Sequence, residues 1–201
     1  MANIITEPRQ QRSIDKKNRI IEAGYKLFSE KGYYHTNTAE IAKEAGVSTG
    51  IVYRYFSDKK AIFFESMNRA FQVFDGQFFN TLNKLTTFNE LRDFLDEYIE
   101  FVIQSHLMSK STHEEITAMA HYDEDVAEFF HEIEERSTDK IVSILPNIGI
   151  TTSHPHEKIH IIINMLENYC HEVVYNKRSC KDYTYMKKIL IDMSLKLLEC
   201  P

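Results

Sequence analysis

The sequence predicts an all-α protein, and three observations predict it. Six glycines and four prolines in 201 residues are less than half the roughly 12% usual for globular chains, which disfavours a turn-rich β-sandwich or barrel. Hydrophobic residues make up 43% and charged residues 27% of the chain, enough for a buried core and outside the disordered and fibrous classes. Apolar residues also recur every three or four positions through most of the chain, the spacing of one helix face.

The elements follow in order. Ile20, Ala23, Leu27 and Phe28 predict a first helix over about 13–31, with Gly32 as a left-handed cap. Asn37 stands three residues before Glu40, a capping-box spacing, and Ile41, Ala42 and Ala45 give the short second helix one apolar face before Gly46. Gly46-Val47-Ser48 is a tight connection in which Ser48 caps a third helix, Thr49 to Tyr55, with Val52 and Phe56 inward. After a cap at Ser57, Phe63, Met67, Phe71, Phe74 and Phe78 mark a long amphipathic helix to about 83. Thr87 with Glu90, then Thr112 with Glu115, are capping boxes opening two more helices. A helix over about 123–145 stops at Pro146, Pro155 opens another to about 176, and the last covers about 182–199.

Charge divides the chain unevenly. Residues 1–60 hold 11 Lys and Arg against 7 Asp and Glu, whereas residues 89–135 hold 14 acidic residues against only Arg92 and Lys110. A basic end on an acidic body suits one end contacting DNA while phosphate repels the rest. Solvated helix faces account for the acidic stretch equally simply. No run approaches the roughly 20 apolar residues of a membrane span. The first residues lack a basic and apolar leader pattern, and Cys170, Cys180 and Cys200 are odd in number without C-x-x-C spacing. A cytoplasmic protein with no membrane partner is expected.

Two short helices joined by a three-residue turn containing Gly are a helix-turn-helix, whose second helix can enter the major groove. Thr49, Tyr53 and Tyr55 offer hydroxyls and rings there, with Arg54 beside them, and Lys59 and Lys60 open the next helix where phosphate can be held. Packing aromatics on an ordinary bundle are the plainer reading of the tyrosines. Arg9 and Arg12 form a short basic arm ahead of the first helix.

The stretches Ile20-Ile21-Glu22-Ala23-Gly24-Tyr25-Lys26-Leu27-Phe28, Lys31-Gly32-Tyr33, Ile41 through Ser48, and Tyr53-Arg54-Tyr55-Phe56 with Lys59 resemble the tetracycline-repressor-like (TetR) family of transcriptional regulators, in order and spacing, over residues 14–65. The resemblance implies an N-terminal three-helix DNA-binding domain at 1–57 and a larger helical effector-binding and dimerisation domain at 58–201. It implies DNA contacts at Asn37, Thr38, Thr49, Tyr53 and Tyr55, and a phosphate contact at Lys59. Ile51, after Gly50, departs from the small or hydroxylated residue usual in the family and can meet a thymine methyl.

The resemblance further implies a homodimer built on the last two helices. Ile162, Met165, Leu166, Tyr169 and Val173, with Ile189, Met193 and Leu197, are the candidate interface, an intrachain core being the alternative. It places an effector cavity among the middle helices, with Met67, Phe71, Phe74, Phe78, Tyr98, Phe101, Met119, Tyr122 and Phe129 as candidate lining beside Met108. Acidic surroundings favour an apolar or cationic effector. The expectation is a repressor without enzymatic activity or cofactor, released from a palindromic operator by a small molecule through the helix starting near Asp58.

Two rival readings stay open on the residues. His156-Glu157-Lys158-Ile159-His160 fits H-E-x-x-H, the zinc-peptidase pattern, with Glu172 or His171 as third ligand. Ile163 stands where the extended peptidase motif has Gly. His106, His113, Glu114 and His121 could instead serve a metal-sensing regulator.

Overall fold

The computed structural model describes residues 6–200 apart from 109, with side chains for 11–107 and 113–200. Every regular element among the described residues is a helix: α1 Thr6–Lys31, α2 Thr38–Glu44, α3 Thr49–Tyr55, α4 Lys59–Leu82, α5 Glu90–Met108, α6 Lys110–Tyr122, α7 Glu124–Ile144, α8 Pro155–Tyr175 and α9 Tyr183–Glu199, with a short 3-10 turn at Leu145–Ile148. No described helix is long and apolar enough to cross a membrane. The side chains of Arg9 and Met108 lie outside what the structure describes. Arg12 is exposed on α1 itself rather than on an arm preceding it.

Two compact units result. The first takes residues up to Val73 together with 111–122; the second takes Phe74–Lys110 and Asp123 onward.

In the first unit Ile20, Phe28, Ile41, Val52, Ile62 and Phe63 are fully buried. α1 and α4 approach closely at Gly24, where an added Cβ would stand 2.7 Å from Ile62 Cγ2. There Ser66 Oγ donates to the Ile21 carbonyl at 3.0 Å. A larger residue at 24 must push these helices apart, in an interior too dense to absorb it freely.

In the second unit the ends of α4 and α7 join α5, α8 and α9 around Phe79, Leu95, Ile99, Ile144, Leu166, Tyr169, Ile191 and Leu198. Lys187 of α9 ties to α5 through Asp96 at 2.9 Å and Glu100 at 2.8 Å. Pro155 occupies the first turn of α8, where its missing N–H has no helical partner to lose.

Three expected caps are corrected. Asp58, not Ser57, starts α4, because its Oδ1 accepts the Ala61 N–H at 2.8 Å while Ser57 Oγ donates to the Asp58 carboxylate. Ser48 precedes α3 without a side-chain cap bond. α6 begins at Lys110, so position 112 is already inside the helix, and Glu115 turns to a different task described below.

Candidate nucleic-acid interface

The first unit builds a helix-turn-helix from short-range chemistry. Asn37 Oδ1 accepts the Glu40 N–H at 3.0 Å and Glu40 Oε2 accepts the Asn37 N–H at 3.4 Å, so the capping box forms. Lys31 bonds the Glu40 side chain, and with the Asn37 N–H it holds that carboxyl below the usual range. Val47 N–H reaches back to the Ala42 carbonyl at 2.9 Å across Gly46, closing α2 and aiming the chain into α3. Val52 and Phe56 then bury, which fixes the opposite face of α3 outward.

That outward face carries Thr49, Gly50, Tyr53 and Arg54. Tyr53 is 54% exposed, and its hydroxyl shares a hydrogen bond with Thr38 Oγ1 at 3.0 Å. Tyr55 is half-buried and its hydroxyl meets Ser13 Oγ at 2.9 Å, tying α3 to α1. An added Cβ at Gly50 would meet nothing within 4 Å, so the α3 backbone is open to close approach there. Ile51 is half-buried, Asn37 and Arg54 are exposed, and Thr38 and Thr49 are half-buried on the same side as Tyr53. Lys60 Nζ lies 5.9 Å over the Phe64 ring.

The expectation for Lys59 requires correction. Its ammonium donates inward to the carbonyls of Tyr33 at 2.7 Å and Thr36 at 2.9 Å and covers the Tyr33 ring at 4.1 Å. Burial lowers its pKa, against the opposing pull of Glu115. A lysine with two donors spent on main-chain carbonyls holds the α1–α2 loop together; it is not extended toward phosphate.

Glu115 completes this arrangement, and the sequence reading missed it. From α6 its carboxylate accepts two consecutive main-chain N–H groups, Tyr33 at 2.9 Å and Tyr34 at 2.8 Å. Gly32 makes room: its φ is +83°, and an added Cβ would fall 1.9 Å from Glu115 Oε2. The partners lie some 80 positions apart in the chain, so no local pattern announces them.

The other candidate residues divide between the units. Phe74, Phe78, Tyr98 and Phe101 gather in the second unit: Phe78–Tyr98 centroids are 4.9 Å apart and Phe74–Phe101 5.1 Å. Phe129 lies there too, edge-on to Phe130 at 5.3 Å. Met67 and Met119 are buried in the first unit, to which Phe71 also belongs. Tyr122, at the end of α6, is 92% exposed; its ring stands in water and lines no interior.

For the last two helices the predicted phase is partly wrong. Ile162, Leu166 and Tyr169 are buried in the chain's own core, and Tyr169 Oη donates to the Tyr183 carbonyl at 2.9 Å. Met165, Val173 and Leu197 pack at its edge. Ile189 and Met193 are exposed, joined by Tyr185 on α9 and Ile161 on α8, which the sequence reading passed over.

His156, Glu157 and His160 lie exposed on the surface of α8, while Lys158 and Ile159 between them are buried. His156 Nε2 sits 3.2 Å from Asp139 Oδ1 and His160 Nδ1 2.6 Å from Glu134 Oε1, both on α7. Glu157 turns instead toward His154. His171 and Glu172 lie about 16 Å further along the same helix at 1.5 Å per residue, beyond reach of an ion at His156 and His160. Glu172 is engaged by Lys181 at 3.1 Å. In the second histidine group, Glu114 and His121 are exposed on α6, where His113 is half-buried, and His106 faces His171 in the second unit with ring centroids 5.1 Å apart.

Comparison with known proteins agrees with this geometry. Residues 20–65 match the model for bacterial regulatory proteins of the tetR family. Over 84 residues the chain is 37% identical to the HTH-type transcriptional regulator HbdR of Aromatoleum sp. (strain CIB), covering 42% of this chain and 36% of that one. It is 31% identical over 106 residues to IcaR of Staphylococcus aureus (strain Newman), a negative transcriptional regulator of the biofilm operon icaADBC, covering 50% and 57% of the two chains. The chain therefore spans roughly a third to just over half the length of these two relatives. The whole fold is similar to the crystal structure of a TetR-family regulator from Mesorhizobium loti, with a TM-score of 0.71 at 21% identity over 93% of this chain and 96% of that one.

Proposed function

We propose that this chain, whose residues 20–65 match the model for bacterial regulatory proteins of the tetR family, is a homodimeric, ligand-responsive transcriptional repressor acting on a palindromic operator. The observation that carries the reading is the outer face of α3: Thr49, Gly50, Tyr53 and Arg54 stand outward while Val52 and Phe56 anchor the helix from within. A helix so presented can enter a major groove, with Asn37 and Thr38 at the start of α2 near phosphate. Lys60 adds positive charge at the head of α4. Ile51 adds apolar contact for a thymine methyl, and Tyr55 holds α3 against α1.

One such head makes few base contacts. Two, about 34–36 Å apart in a two-fold dimer, read successive turns of a duplex. The exposed Ile189 and Met193 on α9 favour this pairing through α8 and α9. Residues 1–57 form the DNA-binding domain and residues 58–201, which open with α4, the effector and dimer domain. A small apolar or cationic effector that prefers the body in its non-operator state lowers operator affinity, and operator lowers effector affinity by the same factor. Couplings of about 1–3 kcal/mol change affinity roughly 5–150-fold.

Selection of bound duplexes from fragments of the source genome tests this reading. It is expected to yield sites with two-fold symmetry whose recovery is lost with Tyr53→Ala or Arg54→Ala. Recovery of no fragment above background, by a folded dimer, contradicts it.

A further inference from the structure

The sequence puts His106 and His171 in two separate candidate metal sets, and the second unit brings them together. His106 is buried on α5. His171, on α8, faces it with ring centroids 5.1 Å apart and the planes at 79°. A ring nitrogen of each lies within 4.8 Å of one on the other. Tyr175, one turn further along α8, packs on both rings at 5.3 and 6.4 Å. The Cys170 thiol donates to the Ile99 carbonyl at 3.9 Å and holds α8 against α5. Packing therefore fixes both imidazoles in place.

Glu167 is the third member of the group. It precedes His171 by four residues on α8, so both side chains leave the helix on one face. Its Oε2 lies 3.7 Å from His106 Nε2. That separation is too long for an N–H···O hydrogen bond, which needs about 2.7–3.2 Å. It suits two donors on one ion, because with bonds of about 2.0–2.2 Å the ligand atoms around zinc stand roughly 3–4 Å apart. Glu167 forms no ion pair with any Lys or Arg among the described residues, and its side chain is 42% accessible, which leaves a path from solvent. Burial, with His171 alongside, takes the His106 pKa down to about 4, so at neutral pH the ring keeps the lone pair that a metal needs. Burial first, and then Glu134 of α7, push the Glu167 carboxyl up to about 7.

We infer that His106, Glu167 and His171 form a binding site for a divalent transition-metal ion that bridges α5 and α8 within the second unit. Two imidazoles and one carboxylate suit Zn²⁺, Ni²⁺ or Co²⁺, whereas Mg²⁺ and Ca²⁺ take oxygen shells. Three protein donors leave a fourth position to water, unlike the closed shell of a purely structural zinc. The H-E-x-x-H histidines stand apart from this group, His156 directed at Asp139 and His160 at Glu134 on α7. The inference goes beyond the operator-binding reading and does not depend on it.

Zinc titration of the full chain, first stripped of metal and read by competition with a chromogenic chelator, tests it. One Zn²⁺ per protomer is expected, bound at least about a hundredfold tighter than Mg²⁺. Co²⁺ in its place is expected to give the visible absorption of a low-symmetry nitrogen and oxygen site. His171→Ala and Glu167→Gln, at half-buried positions, are each expected to weaken zinc at least about tenfold and to change the Co²⁺ spectrum. A double variant, His156→Ala with His160→Ala, is expected to leave both unchanged. Failure of the wild type to bind zinc stoichiometrically overturns the proposal without recourse to any variant. Undiminished zinc binding by folded His171→Ala and Glu167→Gln overturns it too, as does loss of binding in the double variant.

Discussion

The Lys59 ammonium donates to the Tyr33 carbonyl at 2.7 Å and lies 4.1 Å above the Tyr33 ring. The same ring packs on Phe28 and Phe63, 5.7 and 5.2 Å away. The first residue of α4 thus fastens the loop that precedes the helix-turn-helix. Glu115 closes the other side of that loop through the Tyr33 and Tyr34 N–H groups. The position of the reading helix therefore depends on a lysine and a glutamate that both hold main-chain groups of the α1–α2 loop.

Lys59→Ala is expected to destabilise the first unit by about 2 kcal/mol, because two carbonyls lose a charged donor. The salt dependence of residual operator binding is expected to stay unchanged, since no phosphate contact is removed. Urea unfolding and a salt titration of binding check this together. An unaltered midpoint with a salt slope smaller by about 1 would return Lys59 to the phosphate.

Gly32 and Gly50 predict opposite outcomes for the same substitution. Gly32→Ala forces a side chain into a positive φ and onto the Glu115 carboxylate, a loss of about 1–3 kcal/mol. Gly50→Ala meets no neighbour in the protein, so it is expected to leave stability unchanged or raised by up to about 1 kcal/mol. Operator affinity is nevertheless expected to fall, because the added methyl faces the duplex. Thermal unfolding beside operator titration separates the two, and unchanged affinity of Gly50→Ala contradicts close approach there.

His106 and Glu167 predict opposing pH trends. His106 titrates near 4 when folded against 6.5 ordinarily; the unfolded chain binds more protons between these values, so its contribution makes stability rise from pH 4 to 6.5. Glu167 titrates near 7 when folded against 4.5; here the folded chain binds more protons, so stability falls from pH 4.5 to 7. Relative to wild type, Glu167→Gln is expected to gain stability toward pH 7, and His106→Gln to gain it toward pH 4. Unfolding midpoints across this range check the signs, and parallel curves for both variants contradict them.

On α9, Ile189→Asp and Met193→Lys are expected to split the dimer while changing protomer stability by no more than about 0.5 kcal/mol, both residues being exposed. Leu166→Ala, in the core of the same unit, is expected to cost about 2–5 kcal/mol. Sedimentation equilibrium beside denaturant unfolding distinguishes these effects. A dimer undisturbed by both α9 variants places the interface elsewhere.

The reading head was legible because its determinants are local. The Asn37–Glu40 capping box, the Gly46 turn and the Val52–Phe56 pair each act within a few residues, and each forms as the spacing predicts. Lys59 and Glu115 were not legible in their actual roles, since the loop they hold is distant in sequence and the Thr112–Glu115 spacing imitates a cap. On α8 the apolar residues outnumber one face, so periodicity alone does not say which side turns inward; Ile162 and Leu166 went to the core and Ile161 to solvent. Glu167 carried no pattern at all, because its character comes from what α5 and α7 place around it.

Protection of guanine N7 from methylation on a selected operator tests the central claim most directly, since that atom faces the major groove. The account predicts protection in two major-groove segments about 10 base pairs apart, centre to centre, lost together with Tyr53→Ala. Full binding with unprotected N7 positions, or one protected segment held by a single protomer, would contradict it.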